Sequence, residues 1–565
     1  MKDIYEKRVW LKNYPDNYPA ELAMPDLSAL DIFESSAFKY PDSPAIHYFE
    51  ETITYGELNS LANHMALGLA DMGVRKGDRV IIQLQNIPQF LICLYAVWKL
   101  GGIVVGLNPM YKERELEYYC NDSQAQVIIS LESCYREIMN LPKKTNLKTI
   151  ITTSELDFIP IGKPLPKLLK TSEKKKLSEA IDLMDILNKY KGGQPPKVFL
   201  KPQDIAYLTY TSGTTGFPKG AMNTHGNIVF NANNFQVVCN LDRKDTVVSV
   251  APFFHVTGSI ANLAVASLMG IPVIAFFRFE PGEVLRLIEK WKGSMIAASL
   301  TVFIALLEHP DLKRRDIRSL TKVISGGAPV PQSFVDRFEK YCNVYIHNWY
   351  GLTETTSACT VTPIGVRSPV DPLTKALSVG VPIANSVLKV IDAESGVMLP
   401  PGEIGEILVK APTVIPGYWN NPGETQKAIR DGWLYTGDVG KMDENGWFYI
   451  VDRKKDLINV SGYKVWPRDV EDILYEHPAV SEACVIGVPD AYRGETVKAF
   501  IILRENYQGK ITEKEIIEFA QGKMAAYKYP RIVEFVTELP KTVSGKLLKR
   551  ELRDGEATRM KKEKE

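Results

Sequence analysis

Long apolar runs are missing from this chain of 565 residues. The longest, Phe90 to Trp98, ends at a lysine and is much shorter than the ~20 residues that a membrane span requires. The first residues also lack the apolar segment of a secretion signal. We therefore expect no transmembrane segment and no export, and we predict a cytoplasmic protein.

Closely spaced cysteines are missing too. The cysteines of the chain are Cys93, Cys120, Cys134, Cys239, Cys342, Cys359 and Cys484. They are odd in number and lie far apart, so they match neither a disulfide framework nor a zinc site. We expect reduced thiols, in keeping with a cytoplasmic location.

The chain has no excess of charge of one sign. Its 68 Lys and Arg residues nearly balance 67 Asp and Glu residues, which leaves a formal net charge of +1. Because no global field draws the chain to nucleic acid or to anionic lipid, any anion site must be local. The 45% of hydrophobic and 24% of charged residues are typical of a globular protein, and the length predicts at least two domains.

Short apolar runs alternate with helix-like segments in the first part of the chain. Arg79 to Gln83, Gly102 to Gly106 and Ala125 to Ser130 have the pattern of buried strands, and Gly56 to Met72 has that of a helix. This alternation indicates α/β layers with parallel strands. The stretch from Phe158 to Pro196 is rich in Lys, Pro, Glu and Ser, and we interpret it as a surface excursion with one helix near its end.

The pattern changes in the last third of the chain. From about residue 378 to 450, short strands alternate with Gly and Pro turns, which predicts a β-rich subdomain. The residues that follow have the pattern of a compact α+β unit. We therefore predict an α/β fold: a large N-terminal domain of layered subdomains over residues 1–452, then a small, mobile α+β domain over 453–565.

The loop that follows a strand-like run at Tyr207 is the most informative stretch. From Thr211 to Gly220 it holds four hydroxyls, three glycines and a lysine. Glycines expose backbone N–H groups, hydroxyls donate to phosphate oxygens, and Lys219 adds a mobile positive charge, so the loop predicts a polyphosphate ligand. A P-loop has Lys followed by Ser or Thr, whereas Gly220 follows Lys219 here, which disfavours that class. A polar surface loop without a ligand is the alternative.

This stretch resembles the signature of the adenylate-forming superfamily, which comprises acyl-CoA synthetases, nonribosomal-peptide adenylation domains and luciferases. Seven further motifs resemble those of the family, in its order. They are Pro252 to His255, Gly326 to Pro329, Tyr350 to Glu354, Tyr435 to Asp438, Asp452 to Asp456, Ser461 to Lys464 and Pro540 to Lys546.

The resemblance implies a two-step reaction that uses ATP, Mg²⁺ and CoA. A carboxylate attacks the α-phosphate of ATP with release of pyrophosphate, and a thiol then displaces AMP. It assigns catalytic roles to Lys546, Glu354 and Lys219, and it places Mg²⁺ at Glu354 with support from Thr353. The ATP or AMP contacts that it implies are Thr211, Ser212, Gly213, Thr214, Thr215, Gly216, Lys219, Gly326, Gly327, Ala328, Tyr350, Gly351, Thr353, Glu354, Asp438, Arg453 and Lys546.

The resemblance also implies that the C-terminal domain rotates between the two steps. Lys455 stands where the family has its hinge, and Ser461, Gly462 and Tyr463 would line the channel for the CoA thiol. For the CoA phosphates the candidates are Arg493, Lys498, Lys528 and Arg531, with ordinary solvated surface as the alternative for each.

Two positions bear on the acid that is activated. His255 stands where amino-acid-activating relatives have an Asp, and Gly351 stands where acetyl-CoA synthetases close the acyl pocket with a Trp. We therefore expect Phe254, His255, Gly327 and Gly351 to border a pocket for a larger acid. The mostly apolar residues around His255, which include Val256 and Thr257, suit a hydrocarbon or aryl group. The prediction is an acyl-CoA synthetase for a medium- to long-chain fatty acid.

Other functions remain open. An aryl or 4-coumarate type CoA ligase would share every motif, and a nucleotide-binding regulatory protein with a lapsed active site is the non-enzyme alternative. A carrier-dependent adenylation module is disfavoured, since only about fifteen residues follow Arg550. A luciferase is disfavoured because the chain does not end in a peroxisomal signal. We expect no nucleic-acid partner, and a homodimer stays open.

Overall fold

The computed structural model describes residues 4–211, 218–453, 456–461, 463–490, 493–541 and 547–562. Its helices in chain order are α1 (Ala29–Lys39), α2 (Tyr55–Asp71), α3 (Pro88–Lys99), α4 (Glu113–Ser123), α5 (Tyr135–Ile138), α6 (Leu183–Lys189), α7 (His225–Val238), α8 (Val265–Met269), α9 (Pro281–Trp291), α10 (Leu300–Glu308), α11 (Gln332–Cys342), α12 (Pro422–Ala428), α13 (Pro467–Tyr475), α14 (Glu513–Gln521) and α15 (Lys549–Lys562). A π-helix, Thr257–Ala264, leads directly into α8.

The strands form three groups, and the second begins at Tyr350, before the predicted start of the β-rich region at about residue 378. The first region holds β1 (Pro44–Tyr48), β2 (Glu51–Thr54), β3 (Arg79–Gln83), β4 (Ile103–Gly106), β5 (Val127–Leu131), β6 (Thr149–Thr153), β7 (Ile181–Asp182), β8 (Ile205–Thr211), β9 (Lys219–Thr224), β10 (Val247–Ser249), β11 (Val273–Ala275), β12 (Met295–Ala298), β13 (Lys322–Ser325) and β14 (Ile346–Asn348). Next come β15 (Tyr350–Leu352), β16 (Ser357–Val361), β17 (Val381–Pro382), β18 (Val387–Ile391), β19 (Gly405–Lys410), β20 (Ile429–Arg430), β21 (Trp433–Met442) and β22 (Phe448–Arg453). The last region holds β23 (Ile458–Val460), β24 (Tyr463–Val465), β25 (Val480–Asp490), β26 (Gly494–Leu503) and β27 (Ile532–Phe535).

Two seven-stranded sheets form the layered part of the large domain. Their strand orders are β7-β6-β5-β3-β4-β8-β9 and β14-β13-β12-β10-β11-β1-β2, and only the edge strands β9 and β2 pair in the antiparallel sense. The apolar run Phe90 to Trp98 forms most of α3, which is buried along its whole length between other elements of the domain. Burial inside the domain therefore accounts for the hydrophobic character of this run. Within the described ranges, no helix is both long enough and apolar enough to cross a membrane.

The β-rich part and the C-terminal part have separate sheets. A three-stranded sheet, β15-β16-β17, stands beside a five-stranded one in which β18, β19, β21 and β20 are neighbours and β22 pairs with β21. In the last region β24, β23, β26 and β25 are neighbours and β27 pairs with β26. Helices α13 and α14 pack on this sheet over a hydrophobic core of its own. The predicted α/β fold class, with a large domain before a small one, is confirmed.

The region 158–196 lies mostly at the surface, as predicted, but it also joins the first sheet. Its strand β7 adds to the edge of the first sheet beside β6, and Leu169 and Leu183 are fully buried. The helix here, expected over Leu177 to Tyr190, is only α6. A two-residue strand carries no periodicity, so the sequence pattern could not reveal that this segment joins the sheet.

Candidate active site

A cavity of about 1740 Å³ opens where the strands of the second sheet end. Strands β10, β12 and β13 run parallel, and residues directly after their carboxyl ends line the cavity, as is usual for ligand sites of parallel sheets. The β-rich part adds residues from β15, β16 and β21, and the C-terminal part adds Glu482, Lys541, Leu548 and Glu551. The site therefore lies among all three regions of the chain.

The two described ends of the predicted phosphate loop border this cavity. Thr211, at the end of β8, is opposite Lys219, at the start of β9, and both residues line the cavity. Lys219 forms an ion pair with Glu424 on α12, and its ammonium lies 5.2 Å from the ring centre of Tyr418. Hydrogen bonds from Lys219, and then from Lys427, lower the pKa of Glu424 to about 2. The positive charge of Lys219 is thus held at the cavity wall by a carboxylate.

Part of the predicted loop lies outside the described residues. Ser212, Gly213, Thr214, Thr215 and Gly216 belong to this part, so their roles stay predictions.

Glu354 lies on the same side of the cavity as Lys219. Its Oε1 accepts a hydrogen bond of 2.7 Å from the Tyr418 hydroxyl, and burial, with the Glu354 charge next, raises the pKa of Tyr418. Because Lys219 also lies over the Tyr418 ring, this tyrosine joins the two residues that the resemblance makes catalytic. Thr353 lines the cavity beside Glu354.

The backbone after Glu354 is unusual. Thr356 and Ser357 have φ values of 48° and 89°, in the left-handed region that β-branched and other bulky residues rarely adopt. Two buried amides hold this turn. Asn223 Nδ2 donates to the carbonyl of Thr353 at 3.1 Å, and Asn231 Nδ2 donates to that of Thr356 at 2.7 Å. Backbone strain of this kind is concentrated at functional sites.

The residues expected to hold the nucleoside lie across the cavity. The Tyr350 hydroxyl donates to Asp438 Oδ2 at 2.7 Å, and Gly326 and Gly327 line the cavity directly after β13. Gly327 has a φ of 82°, so glycine suits this turn. Ala328, predicted to belong to this group, is not among the residues that line the cavity. The chain turns away after Gly327.

The junction residues are only partly described. Arg453 ends β22, and its Cα is opposite that of Asp438 on β21, so the strand pairing brings the two predicted ribose contacts to one place. Lys455 and Lys546 lie outside the described residues. The residues on either side of the Lys546 segment, Lys541 and Leu548, line the cavity.

Uncharged residues of the π-helix, β12 and α10 form one part of the cavity wall, which we call the apolar arm. The predicted acyl-pocket residues Phe254, His255, Gly327 and Gly351 line the cavity, and their contact with the acid stays a prediction. Val256 and Thr257, which belong to the apolar surroundings of His255 noted in the sequence, line the wall as well. The rest of the wall was not predicted, and it consists of Phe235, Ala261, Ala297, Ala298, Thr301, Val302, Ala305, Trp349 and Ala358. The spacing of Thr301, Val302 and Ala305 on one face of α10 was the available signal, but buried helix faces have the same spacing.

The explanation for a glycine at position 351 must be corrected. A Cβ at this position would lie 1.9 Å from the carbonyl oxygen of Ser357 and 2.8 Å from Cα of Ala358. The glycine is therefore required by the close approach of β15 and β16. It does not leave a gap that a larger side chain would fill, so the expectation that it opens the acyl pocket is wrong.

The predicted CoA contacts lie away from the cavity wall. The Ser461 N–H donates to the carbonyl of Arg493 at 2.8 Å, and Tyr463 stacks on Tyr527 at 4.6 Å, next to Lys528. These residues form one patch of the C-terminal part. Arg531 takes part in neither of these two contacts. Gly462 lies outside the described residues.

Lys498 is corrected outright as a CoA contact. Its side chain is 1% exposed, and its ammonium lies 2.7 Å from both Glu534 and Glu556. Its ion pair with Glu556 therefore holds α15 against the sheet, and its buried ammonium group is not accessible to a phosphate of CoA.

The comparison with known families decides the identity. The AMP-binding enzyme family model matches residues 33–419, more than half of the chain, and the AMP-binding enzyme C-terminal domain matches residues 469–546. The chain belongs to the AMP-binding enzyme family.

Curated relatives of this AMP-binding enzyme match it over nearly their full length. A long-chain-fatty-acid CoA ligase of Bacillus subtilis is 38% identical over 98% of this chain and 99% of the relative. A ligase of the same name from Escherichia coli is 35% identical, over 97% and 98%. A feruloyl-CoA synthase of Amycolatopsis is 33% identical, over 91% and 96%.

Solved structures show the same fold. An anthranilate CoA ligase in complex with anthranoyl-AMP superposes with a TM-score of 0.85 at 28% identity, over 95% of this chain and 99% of that one. ATP-bound MatB of Rhodopseudomonas palustris superposes with a TM-score of 0.80 at 28% identity, over 94% and 99%.

Proposed function

We propose that this AMP-binding enzyme joins a long-chain fatty acid to CoA at the expense of ATP, through an acyl-AMP intermediate. The observation that carries the proposal is one cavity whose wall combines polar and charged residues, which we call the polar arm, with the apolar arm. Thr211, Lys219, Glu354 and Asp438 line the polar arm, whereas uncharged residues of the π-helix, β12 and α10 line the apolar one. Relatives that are 35–38% identical and are named for this activity support it.

The residues of the polar arm suit the first step. A carboxylate oxygen of the acid attacks the α-phosphorus of ATP, the bond to the bridging oxygen breaks, and pyrophosphate leaves. Two anions must approach each other, so cations and hydrogen-bond donors near the phosphates lower the barrier. Lys219 supplies a cation from the cavity wall, and the Asp438 carboxylate can accept hydrogen bonds from the ribose hydroxyls. We propose Lys546 as the second cation, since the residues that flank its segment line the cavity.

The site fits a magnesium ion, which we propose as a cofactor. No cluster of three His, Cys, Asp or Glu side chains occurs within the described part of the chain, so a cage made of protein ligands alone is not formed there. Mg²⁺ at nucleotide sites needs only one or two carboxylates besides phosphates and water. Glu354 lines the cavity and has acceptor capacity beyond its bond from Tyr418, and Thr353 adds a hydroxyl beside it. A bound ion would neutralise phosphate charge there.

We propose that the second step follows a rotation of the C-terminal domain about Lys455, with domain boundaries near 452 and 453. The CoA sulfur attacks the acyl carbon and loses its proton, and AMP leaves. Ser461, Tyr463, Arg493 and Lys528 form one patch that does not border the cavity. Rotation would bring such a patch toward the acyl-AMP, with Gly462 on the thiol path and Arg531 as a further candidate for the CoA phosphates.

An aryl acid is the second candidate substrate. The feruloyl-CoA synthase relative and the anthranilate CoA ligase structure favour it. The relatives that are 38% and 35% identical are named for a long-chain fatty acid, and this favours the alkyl chain.

Pyrophosphate release distinguishes these functions. We expect release only with a carboxylic acid, fastest with acids of twelve or more carbons, as roughly 0.8 kcal/mol is gained for each buried methylene. Without CoA it should stop after about one turnover, because acyl-AMP stays bound. Faster release with ferulate or benzoate than with palmitate would make the aryl alternative the correct function. Release without any acid would contradict both.

A further inference from the structure

Glu308, the last residue of α10, contacts the C-terminal part of the chain. Its Oε2 accepts a hydrogen bond of 3.2 Å from the hydroxyl of Ser481 on β25, and its Oε1 lies 3.5 Å from Nε of Arg504, which follows β26. Earlier residues of the same helix, Val302 and Ala305, line the apolar arm of the cavity. One short helix thus touches both the acyl site and the C-terminal domain.

The Glu308 carboxylate lies between two guanidinium groups. Arg504 comes from the C-terminal domain, and Arg337 NH2 of α11 in the large domain lies 3.6 Å from Glu308 Oε1. Burial, and then the charge of Arg504, lower the pKa of Arg337. Without the carboxylate, two like charges would face each other across the domain boundary, and docking in this orientation would be disfavoured.

A chain of contacts leads from this carboxylate to the segment that holds Lys546. Ser481 precedes Glu482, which lines the cavity and forms an ion pair of 2.6 Å with Lys541. Lys541 stands at the start of that segment, and Leu548, just after it, also lines the cavity. The contacts at Glu308 therefore hold the beginning of β25, and β25 holds one end of the segment at the cavity.

We propose that Glu308 is a positioning residue for the adenylation step: it docks the C-terminal domain in the orientation that presents the Lys546 segment to the nucleotide. The inference rests on the proposed function, since it assumes two half-reactions that need two domain orientations. Glu308 touches no substrate in this account. It acts through Ser481 and Arg504.

The test measures the two half-reactions of Glu308→Gln in the full chain. Acid-dependent exchange of pyrophosphate into ATP reports adenylation, and thioester formation from supplied acyl-AMP and CoA reports the second step. We expect adenylation kcat to fall about 3- to 10-fold, as for the loss of a charge-assisted pair, with KM for ATP unchanged. The thioester rate should stay the same or rise. A matched control is Glu339→Gln, which removes a carboxylate of α11 whose ion pair with Arg367 stays within the large domain.

Two further measurements complete the test. Arg504→Gln should also slow adenylation, but less than Glu308→Gln does, because it does not leave two arginines facing each other. The double variant should be no worse than Glu308→Gln, because both changes remove the same contact. Hydrogen exchange of the amides around Ser481 should be faster in Glu308→Gln than in the wild type, without any turnover. Equal loss in both half-reactions, unchanged adenylation, additive effects or unchanged exchange would each overturn the inference. An inactive wild type, together with the expected faster exchange in Glu308→Gln, would instead count against the proposed function alone.

Discussion

The hydroxyl of Tyr350 donates a hydrogen bond of 2.7 Å to the Oδ2 of Asp438. The two residues come from different sheets, one at the start of β15 and the other in the middle of β21. Burial, and next the Asp438 charge, raise the pKa of Tyr350, so the phenol stays a donor. The bond fixes the orientation of the carboxylate that we propose for the ribose hydroxyls.

Removing this hydroxyl should weaken ATP binding. In Tyr350→Phe we expect KM for ATP to rise roughly tenfold, with a smaller change in kcat, because a hydrogen bond to a charged group is lost while the ring remains. Tyr449→Phe is the matched control, since Tyr449 donates to Asp443 in the same β-rich part and does not line the cavity. An equal effect of both variants would show that only general stability had changed.

Gly351→Ala should destabilise the protein. The added Cβ would collide with the backbone of Ser357, so β15 and β16 must separate. We expect a loss of about 2–3 kcal/mol in the free energy of unfolding, together with most of the activity. Gly423→Ala on α12 is the control, because nothing lies within 4 Å of the added atom there. A normal denaturation midpoint in Gly351→Ala would contradict the tight contact described above.

Ala305→Phe should shorten the acids that the enzyme accepts. Ala305 lines the apolar arm from α10, and a benzyl group there would occupy the space of several methylenes. We expect kcat/KM for palmitate to fall roughly 100-fold and that for octanoate by less than about tenfold. The KM for ATP serves as an internal control. If both acids were affected alike, the acyl chain would lie elsewhere.

Acid should destabilise the protein partly through His225. Its Nδ1 accepts a hydrogen bond of 3.3 Å from the amide of Ala29, and burial lowers the pKa of its imidazole from 6.5 to about 4. Between these pH values the unfolded chain binds the proton and the native chain does not. The free energy of unfolding therefore decreases as the pH falls from 6.5 toward 4, by up to about 3 kcal/mol.

Replacing His225 isolates this contribution. In His225→Gln we expect the fall in Tm between pH 6.5 and 4.5 to be smaller than in the wild type. At pH 8 the imidazole is neutral in the folded and in the unfolded chain, so the Tm difference there gives the packing effect of the substitution alone. A variant with the wild-type slope would show that other groups account for the acid sensitivity.

Much of the polar arm could be predicted because its residues belong to local motifs. Thr211, Lys219, Glu354 and Asp438 lie on or directly after a strand, and each belongs to a short motif that can be found without knowledge of the fold. Likewise β3, which is a continuous apolar run, was predicted with its observed bounds. Buried parallel strands have this pattern, so their position depends little on distant contacts.

Contacts between distant segments could not be predicted. Lysine is usually a surface residue, so nothing in the sequence indicated that Lys498 lies in the interior. Its burial between Glu534 and Glu556 results from the packing of α15 on the sheet. The face of α10 that contains Ala305 has the same spacing of small and apolar residues as a helix face that packs on a core, so the sequence could not identify it as a cavity wall. Gly351 was interpreted through its missing side chain, whereas the decisive neighbour is a backbone carbonyl on the next strand.

The fate of the carboxylate oxygens tests the central claim most directly. The enzyme is supplied with ATP, CoA and palmitate labelled with ¹⁸O in both carboxylate oxygens, and the products are analysed by mass spectrometry. If the acid is activated as acyl-AMP, the attacking oxygen stays on phosphorus when the thiol displaces AMP. AMP should then carry one ¹⁸O, palmitoyl-CoA the other, and pyrophosphate none. Label in pyrophosphate, or unlabelled AMP beside palmitoyl-CoA, would contradict activation at the α-phosphate.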